Sequence, residues 1–152
     1  MPNVAHSALT SADLHEPKGA VSASAGQVYV ANGAGSGTWT GHKGSVTVEM
    51  NDVSAVETVY VVLPACTVTK VSSVILNAIT VANSIVTVYN HAASSMGTIT
   101  IAFSGSAAGD VDTLSPSSNN TFTAGERIRL VSDGGSTTTC RTFFTIEFTY
   151  SS

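Results

Sequence analysis

The stretch that decides the fold is residues 66–90, CTVTKVSSVILNAITVANSIVTVYN. It is dense in Val, Ile and Thr, and it contains neither Gly nor Pro. Because β-branched side chains are stiff at χ1 and pack well on a pleated surface, this stretch predicts strands rather than helix. It is too long for a single strand, so we expect a bend at residues 81–84 with one strand on either side.

Alternation of apolar and polar residues extends the β prediction in both directions. Val46, Val48 and Met50 would share one face of a strand. Arg127–Ser132 would place Ile128 and Leu130 on one face and both arginines on the other. Further strands are predicted at residues 27–31, 57–63, 97–103 and 142–150. Residues 57–63 are apolar on both faces, which is typical of a central strand, and Ile99, Ile101 and Phe103 are predicted to face inward.

The spacing of these segments predicts the fold class. About eight strands recur at roughly 8–14 residues, and no segment shows helical periodicity. We therefore expect an all-β fold, an antiparallel jelly-roll-like β-sandwich, over residues 44–152. Residues 104–121 are predicted as a long loop. Residues 1–43 contain few large apolar side chains, so they are predicted as an extended N-terminal arm with one short strand at residues 27–31.

Composition excludes several classes of function. Charged residues make up 11% of the chain, against about 25% in ordinary soluble domains, and the net charge is −4. The six basic residues are scattered, so no basic patch for nucleic acid is expected. No apolar run approaches the roughly 20 residues of a membrane-spanning helix. The first residues show no signal peptide, which predicts synthesis in a cytoplasm and free thiols at Cys66 and Cys140.

No motif for catalysis, a cofactor or a metal stands out. The Gly-rich residues 32–37 are not followed by the Lys-Ser/Thr pair of a phosphate-binding loop. His15 and Glu16 are adjacent, which favours a surface contact over an acid–base pair. Asp110 and Asp112, with two asparagines downstream, offer oxygen ligands for calcium, but turn formation is the favoured explanation, because calcium needs six to eight oxygen ligands. We therefore predict no enzyme, no cofactor and no metal site.

Two aromatic residues lie in the arm. Tyr29 and Trp39 are outside the predicted sandwich core. Aromatic side chains supply a large contact area at low entropic cost, so in an arm they favour anchoring against a neighbouring protein. The alternative is that they dock onto the sandwich of their own chain.

Two parts of the chain resemble proteins of tailed bacteriophages. The first combines residues 13–19 (DLHEPKG), residues 26–31 (GQVYVA) and a Gly-x-Gly-x-Gly-x-Trp pattern that ends at Trp39. It is similar to an N-terminal signature of phage head-decoration and fibre proteins. The second part resembles the jelly-roll body of small capsid decoration, or cement, proteins. It consists of residues 67–70 (TVTK), 97–102 (GTITIA), 105–112 (GSAAGDVD) and 124–128 (AGERI).

The resemblance implies a non-enzymatic virion protein on the capsid exterior, made in the cytoplasm of a bacterial host. It implies the major capsid protein as partner, binding as a homotrimer, and neither nucleic acid nor membrane as a partner. The candidate interface residues for the capsid or a sister subunit are Leu14, His15, Glu16, Pro17, Lys18, Gly19, Tyr29 and Trp39.

Two other functions remain open at the level of sequence. The chain could be a component of a head fibre or tail fibre, in which the arm attaches and the sandwich is a spacer or a receptor-binding tip. It could also be a carbohydrate-binding jelly roll with an exposed aromatic platform. Tyr60, Tyr89 and Phe143 are the candidates for that platform.

Overall fold

The computed structural model describes residues 23–24, 26–32 and 37–151, and that part of the chain is all β. The strands are β1 Gln27–Ala31, β2 Gly37–Gly41, β3 Lys43–Met50, β4 Thr58–Val62, β5 Cys66–Ile75, β6 Ser84–Tyr89, β7 Ser95–Ile101, β8 Val111–Leu114, β9 Thr121–Phe122, β10 Arg127–Ser132 and β11 Thr142–Tyr150. Every pairing between strands is antiparallel. The all-β, antiparallel prediction is confirmed. The described residues contain no helix long and apolar enough to cross a membrane.

The chain divides into two compact units between Gly41 and His42. In the first unit, β1 and β2 pair as a two-stranded antiparallel sheet, which we call the hairpin. The second unit, residues 42–151, is called the body. The sequence predicted one strand in the region of the hairpin, whereas the structure has two, because residues 37–41 pair with β1 along its full length.

The body consists of two sheets. One has four strands in the order β4-β10-β6-β7. The other has the order β3-β11-β5-β8, and the short strand β9 also pairs with β5. Strand β5 alternates buried with less buried residues. Within its sheet it pairs with β11 along one edge and with β8 and β9 along the other. The stretch that begins at Cys66 therefore supplies the middle of one sheet, and its second half supplies β6.

The core is formed by the inward-facing side chains of both sheets. Alternation along each strand places apolar residues on this face, as predicted for Val46, Val48 and Met50 and for β10 and β11. The largest fully buried side chains are Phe122, Phe144, Met50, Leu63, Ile75, Ile79, Ile99, Ile101, Ile128, Leu130, Ile146 and Val53. The chain bends within residues 76–83, between β5 and β6, as expected from residues 81–84.

Three local predictions were wrong. Strand β4 is an edge strand, with Tyr60 and Val62 exposed, because its one neighbour in the sheet is β10. Phe103 lies beyond the end of β7 and is 44% exposed, while its backbone N–H donates to the side chain of Asn83. The predicted loop 104–121 contains β8 and the start of β9. The body therefore has nine strands among its described residues, against about eight expected.

Both cysteines are free and buried. Burial raises the pKa of the Cys66 thiol, which makes it a poor nucleophile. The Cys140 thiol donates a hydrogen bond to the carbonyl of Asn77 at 3.1 Å. Each cysteine thus serves as a small core residue, in agreement with the free thiols predicted.

Candidate interaction surfaces

Two of the predicted interface residues meet in the hairpin. Tyr29 and Trp39 are direct cross-strand partners, and their rings pack edge to face with centroids 5.3 Å apart and planes at 61°. This geometry is favourable for aromatic pairs. The other six predicted interface residues lie outside the described residues: Leu14, His15, Glu16, Pro17, Lys18 and Gly19.

Gly37 explains how the tyrosine ring is accommodated. A Cβ at this position would lie 2.8 Å from Cζ of Tyr29, so only a glycine leaves room for the ring. The opposite face of the hairpin carries Val28 and Val30, which are 41% and 50% exposed. A two-stranded hairpin is at best marginally stable by itself in water. The hairpin therefore has apolar surface on both faces and a need for packing partners.

The outer faces of the two sheets of the body differ in chemistry. The outer face of the five-stranded sheet carries polar pairs, a Thr47–Thr145 hydroxyl pair at 3.0 Å and a Lys70–Glu147 ion pair at 3.9 Å, together with the exposed apolar side chain of Val111. The outer face of the four-stranded sheet is apolar and cationic. We call the part formed by Tyr60, Tyr89, Arg127 and Arg129 the tyrosine–arginine face. Two exposed apolar residues, Val62 and Ile85, project from the same outer face of this sheet.

Strand register creates the tyrosine–arginine face. Arg129 is the cross-strand partner of Tyr60 on one side and of Tyr89 on the other. Its guanidinium carbon lies 4.4 Å from the ring centroid of Tyr89, and that of Arg127 lies 5.3 Å from the centroid of Tyr60. Both distances fall within the range of cation–π attraction. Nε of Arg129 is buried and has no hydrogen-bond partner among the residues that the structure describes.

The predicted aromatic platform for carbohydrate is not assembled. Tyr60 and Tyr89 share the outer face of the four-stranded sheet, but Phe143 belongs to β11 in the other sheet and is half-buried. The two tyrosines are separated by β10 and carry guanidinium groups against their rings. The sequence identified both tyrosines but not their arginine partners, because cross-strand neighbours depend on a register that one strand does not reveal.

A cleft opens where β7 and β8 are connected. Its volume is about 190 Å³, and its lining includes Ile75, Ile101, Ser104, Ser106, Asp110 and Asp112. Partial burial, followed by the charge of Asp110, raises the pKa of the Asp112 carboxyl. Oδ2 of Asp110 accepts a hydrogen bond from the backbone N–H of Ala107 at 2.7 Å. The cleft thus combines two carboxylates with an apolar wall.

The downstream asparagines lie away from these carboxylates, beside the start of β7 and beside Val68, whereas the cleft lies at the end of β7. The side-chain amide of Asn119 donates to the carbonyl of Ser95, and that of Asn120 donates to the carbonyl of Val68. Within residues 23–24, 26–32 and 37–151, no group of three or more His, Cys, Asp or Glu side chains is arranged to hold a metal ion.

Four loops are joined at one end of the body: residues 51–57, 76–83, 102–110 and 133–141. The hydroxyl of Ser54 donates to the carbonyl of Thr138 at 2.5 Å, and that of Ser136 donates to the carbonyl of Thr80 at 2.5 Å. The hydroxyl of Ser106 accepts a hydrogen bond from the N–H of Ile79 at 3.1 Å. The loops thus form one hydrogen-bonded end rather than four independent segments.

The two described histidines are engaged in local contacts. His42 stacks on Tyr150 at 5.1 Å, and Nε2 of His91 lies 3.1 Å from Oε1 of Glu126. The pKa of Glu126 is lowered, mainly by the hydrogen bond from the backbone N–H of Thr123. Together, these surfaces present aromatic, apolar and guanidinium groups. Among known proteins, no family model and no curated protein matches the chain.

Proposed function

We propose that this chain is a non-enzymatic structural protein of a bacteriophage virion. It binds the outer surface of the capsid as a decoration, or cement, protein, and it does so as a homotrimer. The observation that carries the proposal is the combination of a low-charge two-sheet body with a separate hairpin that presents Tyr29 and Trp39. The resemblance of residues 13–19 and 97–102 to phage proteins supports the same assignment.

The strand order supports a jelly roll as the finer description of the body. Successive strands pass between the two sheets: β3 lies in the five-stranded sheet, β4 in the four-stranded sheet and β5 in the five-stranded sheet again. Strands β6 and β7 are then antiparallel neighbours in the four-stranded sheet. After them, β8 lies in the five-stranded sheet, β10 in the four-stranded sheet and β11 in the five-stranded sheet. With β8 and β9 counted as one interrupted strand, this path has the eight strands of two Greek keys.

A decoration protein stabilises a shell by mass action. It binds the assembled capsid better than the unassembled or expanded alternatives, so its binding free energy adds to the stability of the closed form. Low charge favours this role because few charged side chains lose their hydration when the capsid covers the surface. The major capsid protein is the partner in this scheme. The predicted interface residues of the arm and the hairpin make the attachment.

The arm is tested by deletion. We expect that a chain without residues 1–19 folds normally but no longer co-sediments with undecorated capsids, because the predicted attachment segment is missing. Circular dichroism and thermal unfolding provide the control for folding. Normal occupancy of capsids by the truncated protein would refute attachment through this segment.

Copy number separates decoration from the fibre alternative. A decoration protein occupies many equivalent sites, so imaging of virions should show hundreds of copies distributed over the head. A dozen copies or fewer, at a vertex or on the tail, would instead identify a fibre component, in which the body acts as spacer or receptor-binding tip.

A further inference from the structure

The tyrosine–arginine face carries positive charge with no ion-paired carboxylate in the described part of the chain. Among the described residues, Lys70 pairs with Glu147 and Arg141 pairs with Glu49. Arg127 and Arg129 have no carboxylate within ion-pair distance in the same part of the chain. Two adjacent unpaired guanidiniums repel one another, so their presence in a protein of net charge −4 calls for an explanation.

Packing on tyrosine prepares these arginines for an external contact. The rings of Tyr60 and Tyr89 restrict both guanidiniums, which lowers the entropy lost when a partner binds. Arg and Tyr are enriched among the residues that dominate protein–protein binding energy. Val62 is 69% exposed and Ile85 38% exposed on the same sheet, so the charged centre has apolar surroundings.

The body also presents a surface of complementary charge. Arg127 and Arg129 are two residues apart on one strand face, a separation of roughly 6.8 Å along the strand. Asp110 and Asp112 are likewise two residues apart, and both line the cleft between β7 and β8. The cleft volume of about 190 Å³ far exceeds the space needed for one water molecule, so the end of a side chain can enter.

The electrostatic state of Asp112 agrees with this complementarity. The pKa of its carboxyl is raised by burial and by the neighbouring charge of Asp110. The ionised form of Asp112 is therefore disfavoured in the isolated chain, because no positive charge among the described residues offsets these two effects. A guanidinium entering the cleft would offset both effects. Each surface therefore has the charge that the other lacks.

We propose that Arg127 and Arg129 of one copy dock against Asp110 and Asp112 of a second copy, which makes the tyrosine–arginine face a contact between subunits. The contact joins two different surfaces of identical chains. Repetition of such a head-to-tail contact closes a ring when the rotation between subunits allows it. The proposal rests on the self-association part of the proposed function and does not require capsid binding.

Charge reversal tests the pairing directly. Sedimentation velocity compares the wild-type chain with the double variants Arg127→Glu/Arg129→Glu and Asp110→Lys/Asp112→Lys, at low and at physiological salt. We expect the wild type to form an oligomer that weakens as salt rises, and each double variant to associate at least about tenfold more weakly. The chain with all four reversals should regain the oligomer, because the charges are again complementary.

Matched controls separate specific pairing from net charge and from misfolding. Lys43→Glu/Lys70→Glu produces the same change in net charge as the arginine double variant, on the other sheet of the body, and should leave the oligomer intact. Thermal unfolding monitors folding of every variant. Because Asp110 also binds the N–H of Ala107, Asp112→Lys alone is the second acidic-side variant if the double variant does not fold.

Three outcomes would overturn the proposal. The first is a wild-type chain that stays monomeric at about 100 μM, far above the dissociation constants of specific complexes. The second is an arginine double variant that still associates like the wild type. The third is a folded four-reversal chain that remains monomeric, which would assign the arginines to another partner. Capsid binding by the same chains is measured separately, so its loss or retention distinguishes failure of the wider function.

Discussion

At the scale of single residues, Val81 is the clearest departure from local preference. It has a φ of +77°, a left-handed conformation that is rare for a β-branched residue. It lies between β5 and β6 and is 70% exposed, so burial of its side chain does not explain the conformation. The carbonyl of Thr80, directly before it, accepts a hydrogen bond from the hydroxyl of Ser136 in a neighbouring loop, and we attribute the conformation to this anchoring. The backbone strain at Val81 is therefore attributed to the contacts of the adjoining loops and not to contacts of its own side chain.

Replacement of this valine by glycine should stabilise the protein. Val81→Gly removes the steric cost of the left-handed conformation, which is on the order of 1–3 kcal/mol. The greater conformational entropy of glycine in the unfolded chain cancels part of this stabilisation. We expect an increase of about 1 kcal/mol in the free energy of unfolding, measured by urea titration. Val62→Gly, at an exposed position of strand β4, is the control and should destabilise. A loss of stability in Val81→Gly would show that the loops do not impose strain.

Trp39 allows attachment to be distinguished from packing at the residue level. Its ring contacts Tyr29 in the hairpin, and every buried apolar residue of the described core lies in the body. Trp39→Ala should therefore weaken capsid or subunit association by about tenfold or more, as for an aromatic hot spot, with a smaller effect on thermal unfolding of the body. Thr38→Ala, on the opposite face of β2, is the matched control. Equal losses in association and in stability would favour a packing role.

At the scale of elements, β7 shows how a bulge directs side chains. The register with β6 shifts between Val88 and Tyr89, so β7 contains an extra residue there. The extra residue is Met96, which is buried and falls between the paired residues Ser95 and Gly97, and Gly97 has a φ of +135°. A bulge re-aims neighbouring side chains. In this strand it allows Met96 to join Ile99 and Ile101 in the core.

Substitution of Gly97 tests the bulge. In Gly97→Ala the new Cβ would lie 2.6 Å from Cδ1 of Leu114, and the backbone would be strained as well. We expect a loss of about 2–3 kcal/mol in unfolding free energy from these two causes. Gly109→Ala is the matched control, because its φ is +93° but the space around it is empty. Equal losses in the two variants would mean that the contact with Leu114 contributes nothing.

Elements with strong local patterns could be predicted from the sequence. Strands β10 and β11 have the bounds that alternation indicated, and both arginines of β10 face outward as expected. Strands β8 and β9 were missed because four and two residues are too few to show a period. The edge position of β4 depends on β10, more than 60 residues later, and no local pattern contains that information. The candidate surfaces were only partly predictable for the same reason, since Tyr60, Tyr89 and Arg129 meet through register.

At the scale of the whole molecule, stability is concentrated in the body. Its buried apolar cluster runs from Met50 to Phe148 and draws on both sheets. The hairpin contributes none of the buried residues of that cluster. Among the residues that the structure describes, the parts proposed to attach and the part that supplies the core are thus different segments of the chain.

A chain that starts at residue 42 should fold independently. Since every buried core residue in the described part of the chain lies after residue 42, the melting temperature of this shorter chain should lie within about 3 °C of that of the full chain, by calorimetry. The full chain in the same buffer is the reference. Aggregation of the shorter chain, or a melting temperature lower by about 10 °C or more, would show that the first unit supports the body.

The pairing of β3 with β11 has a topological consequence for protein engineering. The N–H of Tyr150 donates to the carbonyl of His42 at 2.8 Å, and the two rings stack, so both ends of the body lie side by side. Adjacent strands are only about 5 Å apart. The body can therefore be circularly permuted by a short linker between residues 42 and 151. It can equally be carried as a cassette within a surface loop of a host protein, which would need to open by little more than the width of one strand.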